Sequence, residues 1–159
     1  MTKKYLMALS MIVMSFGRAE SVKMIAKLSP AGSFTIEGKK LAGKVTKDKD
    51  IYKAKNIVLN LTDLKTGMEL RDKHVQEYLE TKKYPIAVLT EGQGKGSKFS
   101  GKLKIRNIIK PIAGTYELKG KQGLAKFKVK MSEYKIKSAS YMGLGVNDEI
   151  NVTVEMMVP

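Results

Sequence analysis

Six consecutive residues, Lys126-Phe127-Lys128-Val129-Lys130-Met131, alternate charge and hydrocarbon without a fault. Successive side chains of a β-strand point to opposite faces, so this run sets a wet face against a dry one, which no helix could do. Lys102-Leu103-Lys104-Ile105-Arg106 repeats the pattern. Ile150, Val152, Val154 and Met156 alternate with Glu149, Asn151, Thr153 and Glu155, and Ile57, Leu59 and Leu61 mark a further inward face. Val22–Leu28, Ser33–Glu37, Lys40–Thr46, Ile86–Thr90 and Ile112–Lys119 bring the total to eight or nine strands. Ser29-Pro30-Ala31-Gly32, Gly92-Gln93-Gly94-Lys95-Gly96 and Gly120-Lys121-Gln122-Gly123 read as the turns between them. Alternating βα units are missing, so the sheet is antiparallel. Short antiparallel strands with one wet face either close into a barrel or stack as two sheets. Patterning alone leaves both open.

One stretch departs from period two. Between Glu69 and Thr81, Leu70, Val75, Tyr78 and Leu79 follow helical spacing, which predicts one short helix. With 159 residues the chain is one domain's worth, large enough to bury roughly 70% of its unfolded surface.

The first 19 residues read differently. Lys3 and Lys4 precede an apolar and small run from Tyr5 to Phe16, and Gly17-Arg18-Ala19 offers small residues for a peptidase. This is the form of a signal peptide cleaved after Ala19, leaving residues 20–159 as an exported domain, periplasmic or extracellular. A membrane span needs about 20 apolar residues and this run is shorter; a buried N-terminal helix is the third reading. With no cysteine there is no lipoprotein anchor and no disulfide. The net charge is +15; without Lys3, Lys4 and Arg18, 27 basic residues face 15 acidic ones, about +12. Such a surface attracts anions, and export makes nucleic acid the weakest candidate among them.

Catalytic parts are scarce. His74 is the single histidine, too few for the usual zinc spacings. Asp48 and Asp50 are interleaved with Lys47 and Lys49, which opposes calcium. The Gly92-Gly94-Gly96 run lacks the Lys-Ser/Thr and the helix of a P-loop. The densest polar cluster, Thr66 to His74, is joined by the predicted helix to Lys82-Lys83-Tyr84-Pro85. It reads either as a brace, with Arg71 and Asp72 steadying the helix, or as a pocket rim where Arg71, Asp72 and His74 meet a polar group.

Those residues carry a resemblance. Leu64-Lys65-Thr66-Gly67, Leu70-Arg71-Asp72-Lys73-His74-Val75, Tyr78-Leu79 and Lys83-Tyr84-Pro85 are similar to the centre of YceI-like proteins, a lipid- and polyisoprenoid-binding family. Ser33–Ile36 and Leu41–Val45 look like its opening strands, Leu103–Ile112 like its middle strand pair, and Phe127–Ile136 and Val146–Ile150 like its closing strands. Asn107 stands where the family commonly has glycine and Val75 where it commonly has leucine. The resemblance implies an all-β, eight-stranded antiparallel lipocalin-like barrel with one short helix, usually exported, binding a lipid without catalysis.

On that fold Phe34, Ile36, Ile57, Leu59, Leu61, Leu103, Ile105, Phe127, Val129, Val152 and Val154 form the ligand-contacting interior, with Arg71, Asp72 and His74 at its rim. The implied ligand is a polyisoprenoid, an isoprenoid quinone or a fatty amphiphile; no metal and no other cofactor is called for. The alternative is a barrel with a filled core that binds only polyanions or a membrane surface. Outward lysines such as Lys102, Lys104, Lys126, Lys128 and Lys130 serve solubility and edge protection, or else dock the barrel on anionic membrane. Monomer and homodimer both stay open.

Overall fold

Strand follows strand by short hairpins through the computed structural model, which describes residues 20–141 and 143–159. The expected signal peptide, residues 1–19, lies outside the described residues. In chain order the elements are β1 (Ser21–Ser29), β2 (Ser33–Gly38), β3 (Leu41–Ala42), β4 (Val45–Asp48), β5 (Ile51–Asn60), α1 (Glu69–Leu79), β6 (Ile86–Lys95), β7 (Lys98–Ile105), β8 (Ile108–Lys119), β9 (Gln122–Lys130), β10 (Ser140–Tyr141) and β11 (Leu144–Met157). Short 3-10 turns occupy Leu61–Asp63 and Met131–Tyr134.

All pairings are antiparallel, in the order β2-β1-β11-β9-β8-β7-β6-β5-β3, with β4 also on β5 and β10 on β11. The sheet curls into a nearly closed barrel. At its seam, the edge of β2 is tied to the segment before α1 by two hydrogen bonds: Glu37 N–H donates to Lys65 O (2.8 Å) and Lys65 N–H to Glu37 O (2.9 Å).

The expected antiparallel barrel is present, built among the described residues from eleven strand segments rather than eight strands. Lys40–Thr46 does not run as one strand, because Gly43 adopts φ 122° and splits it into β3 and β4. The glycine run at 92–96 is also not a turn as read from the sequence. Gly92 and Gly94 lie within β6, and only Gly96 bends the chain, at φ 66°. A Cβ on Gly94 would stand 2.8 Å from the Tyr116 ring, so glycine here clears space for an aromatic. The hairpin after β7 is a two-residue turn with Arg106 at φ 51° and Asn107 at φ 62°. Two positive φ values define a type I′ turn, where asparagine substitutes well for glycine.

The expected helix is α1, closed by Glu80 in the left-handed conformation. It lies over one end of the barrel: Gln76 Nε2 donates to Leu61 O (3.1 Å) and Thr62 O (2.9 Å). Arg106 bolts that end from below. Its guanidinium bonds Glu80 and the Lys135 carbonyl, and it lies 5.4 Å from the centre of the Tyr84 ring. The largest fully buried side chains, Leu64 and Tyr134, lie at this helix end with buried Leu61 and Ile136.

Candidate functional site

The strand alternation turns one face of every long strand toward the barrel axis, and these faces do not fill it. They line a cavity of about 320 Å³ that runs the length of the barrel. That volume lies within the roughly 300–1,000 Å³ of sites that enclose a small-molecule ligand. Along β11 the wall extends from Val146 to Val158, twelve residue steps. This is roughly 40 Å of strand, or roughly 30 Å along the axis at a tilt of about 40°. The space is a long, narrow tunnel.

Its wall is almost wholly hydrocarbon. Phe34 and Ile36 reach in from β2, Ile57 and Leu59 from β5 with Leu61 just beyond, and Leu103 and Ile105 from β7. Phe127 and Val129 contribute from β9, Val152 and Val154 from β11. Every interior position expected from the sequence therefore lines the cavity.

Sequence reasoning passed over much of the rest. Tyr52, Ala54, Phe99, Tyr116 and Ala125 line the half remote from α1, and Val22, Met24 and Ala26 line the wall at β1. This remote half is roomy because its inward positions include glycine and alanine. Gly114 answers a different need, a narrow gap against the neighbouring backbone that two rings fill: a Cβ there would stand 2.0 Å from the Lys126 carbonyl oxygen and 2.9 Å from Phe99. Across that gap Phe99 and Phe127 meet edge to face, 5.7 Å between ring centres. Glycine in a strand signals such close approach of backbone.

Polar groups enter the wall at its two ends. At the helix end, the first turns of α1 present Arg71 and His74 to the cavity, beside Val75, Tyr78 and Leu79. The Arg71 guanidinium lies 4.6 Å from the centre of the Phe34 ring, a cation–π contact that holds it against the wall. Asp72 does not line the cavity. Its Oδ1 accepts from Thr66 N–H and Thr66 Oγ1, both at 2.6 Å, and pins the Thr66-Gly67-Met68 turn to the helix. Leu70, counted with the apolar face of the helix, is instead 58% exposed. At the remote end Tyr52 and Tyr116 meet edge to face at 6.0 Å, with Lys47 Nζ 5.2 Å from the Tyr52 ring centre. Burial pushes the Tyr116 hydroxyl above the usual tyrosine range, and the nearby Tyr52 and Asp50 add to this against Lys47. Among the described residues no three His, Asp or Glu side chains converge as metal ligands would.

The model of the YceI-like domain matches residues 14–158. The chain belongs to the YceI-like family. Three solved structures share the barrel. Burkholderia cenocepacia BcnA is 16% identical at a TM-score of 0.65, over 87% of this chain and 96% of its own. A polyisoprenoid binding domain from Saccharophagus degradans, implicated in plant cell wall breakdown, is 14% identical at 0.63, over 88% and 94%. A Campylobacter jejuni YceI protein is 17% identical at 0.63, over 98% and 96%. No curated protein matches the sequence. At such identities the structural likeness speaks for the YceI-like barrel and leaves ligand contacts to this chain's own residues.

Proposed function

We propose that this YceI-like barrel carries a long apolar lipid in its interior, a polyisoprenoid, an isoprenoid quinone or a fatty amphiphile, and performs no chemistry on it. The observation that carries this reading is the continuous hydrocarbon-lined tunnel of about 320 Å³. Such a wall dissolves an alkyl chain, and the polar side chains His74, Tyr52 and Tyr116 stand at its ends rather than along its length. Each buried methylene contributes about 0.8 kcal/mol, so ten contribute roughly 8 kcal/mol before ordering costs. That corresponds to micromolar binding at best. Arg71 and His74 are the side chains placed to meet a polar head, the guanidinium through charge-assisted hydrogen bonds. Asp72 acts one step removed, by fixing the turn that starts α1. The S. degradans relative is a polyisoprenoid binding domain, which agrees with this reading. Export fits the leader-like first 19 residues.

The test is a titration of delipidated protein with a fluorescent polyene fatty acid. Saturable one-to-one binding in the micromolar range, displaced by a long polyprenol, is expected. Fluorescence that rises linearly without saturation refutes the reading.

A further inference from the structure

The two ends of the barrel are built differently. The helix end is covered by α1 and tightly packed. At the opposite end, the antiparallel order brings together three two-residue hairpin tips, between β4 and β5, β6 and β7, and β8 and β9. Each tip carries a pair of lysines: Lys47 and Lys49, Lys95 and Lys98, Lys119 and Lys121. Their acidic neighbours are Asp48, Asp50 and Glu117. Asp50 pairs with Lys95 at 3.4 Å, and Asp48 pairs with Lys53 rather than with a tip lysine. The rim is therefore strongly cationic.

Inside the ring of lysines stands an apolar lip. Leu118 and Val158 converge over Gly123, where a Cβ would lie 3.0 Å from Val158 Cγ1 and 3.8 Å from Leu118 Cδ2. Leu118 lines the tunnel and is also 42% exposed, so the tunnel reaches the surface at this lip. Met157 beside it, paired with Gln122 on β9, is likewise 42% exposed. Just inside lie the Tyr52–Tyr116 pair, side chains with an apolar body and a polar tip that suit a water–lipid boundary.

Cationic tips, then hydrocarbon, then tyrosine, around a mouth: from this order we infer that the hairpin end docks on an anionic phospholipid bilayer and that lipid enters the tunnel there. The lysines meet lipid phosphates, and Leu118, Met157 and Val158 reach into the acyl boundary. The strand-face lysines are less suited. Lys102 is paired with Glu91 (3.5 Å) and Lys128 with Glu149 (3.1 Å). Entry of lipid at this mouth rests on the carrier reading; the docking face itself does not.

The experiment is cosedimentation of the protein with vesicles of phosphatidylglycerol and phosphatidylcholine, against pure phosphatidylcholine, at low and high salt. A lysine near an anionic surface contributes about five-fold to partitioning. The K49Q/K119Q/K121Q variant is expected to bind the anionic vesicles about a hundred-fold more weakly. K104Q/K126Q/K130Q, with the same change in charge on the barrel side, is expected to lose less than five-fold. Met157→Ser, on the lip but outside the tunnel wall, is expected to slow uptake of a fluorescent polyene fatty acid from vesicles while leaving its uptake from detergent unchanged. Equal losses in the two lysine sets would overturn the docking face. So would wild-type binding without preference for the anionic lipid, or rim-dependent capture of heparin with no capture of vesicles. A protein that binds vesicles through the rim yet holds no lipid keeps the docking face and fails the carrier reading. Retained lipid with no vesicle binding does the reverse.

Discussion

Ala125→Phe separates a hollow barrel from a filled one. Ala125 lies on β9 between Tyr116 and Val154 in register, and its methyl group lines the remote half of the tunnel. Phenylalanine there adds six ring carbons to the cavity. In a hollow barrel the ring enters empty space, and burying it stabilises the delipidated protein by about 1–2 kcal/mol. The same ring closes the passage. If half of a ten-methylene chain is denied its place, about 4 kcal/mol of binding is lost, roughly a thousand-fold in affinity. A filled barrel gives the opposite signs, because overpacking costs about 1–3 kcal/mol and there is no binding to lose. The assays are urea denaturation of the delipidated proteins and titration with the polyene fatty acid; delipidation matters because bound lipid itself raises stability. A variant that is clearly destabilised, with affinity unchanged, refutes the tunnel.

Three further outcomes follow from the contacts. Arg71→Met should weaken lipids with an anionic head about 10- to 100-fold, the value of a charge-assisted hydrogen bond, and leave headless hydrocarbons unaffected in competition titrations. Gly114→Ala should cost about 2–4 kcal/mol of unfolding free energy, because a Cβ collides with the Lys126 carbonyl; a loss below about 0.5 kcal/mol in urea denaturation contradicts that geometry. The Tyr134 hydroxyl donates to Leu103 O at 3.3 Å, and burial, with Glu133 adding, pushes its pKa up to about 12. An unfolded tyrosine ionises near pH 10 and releases its proton first, so this stability is intact below pH 10 and is lost as pH rises to about 12. Tyr134→Phe should flatten that loss in denaturation measured across the window.

What the sequence reveals and what it hides have physical reasons. Phe127 and Val129 alternate with lysines because one side of β9 is dry and the other wet, so their inward direction is legible from period two alone. Arg71 and His74 were legible only as part of a polar cluster; their entry into the wall depends on how α1 sits, which spacing does not encode. The roominess of the remote half is carried by Gly94, Ala54 and Ala125, residues with little or no side chain to register in a hydrophobic pattern. Gly92 and Gly94 were misread as a turn because glycine serves both bends and close approaches. Tyr52 and Tyr116 escaped notice because their pairing joins β5 to β8 across the barrel. The docking rim was hidden for a similar reason: its three lysine pairs are scattered over more than seventy residues, and only the hairpin topology gathers them at one end.

The central claim is that the interior of this barrel is a place for a lipid. Native mass spectrometry of freshly purified protein tests it directly. The account predicts a species heavier than the polypeptide by one amphiphile per chain, released by organic solvent and restored by adding back a long polyprenol or fatty acid. A spectrum showing the bare polypeptide mass, unchanged by excess of either compound, would contradict it.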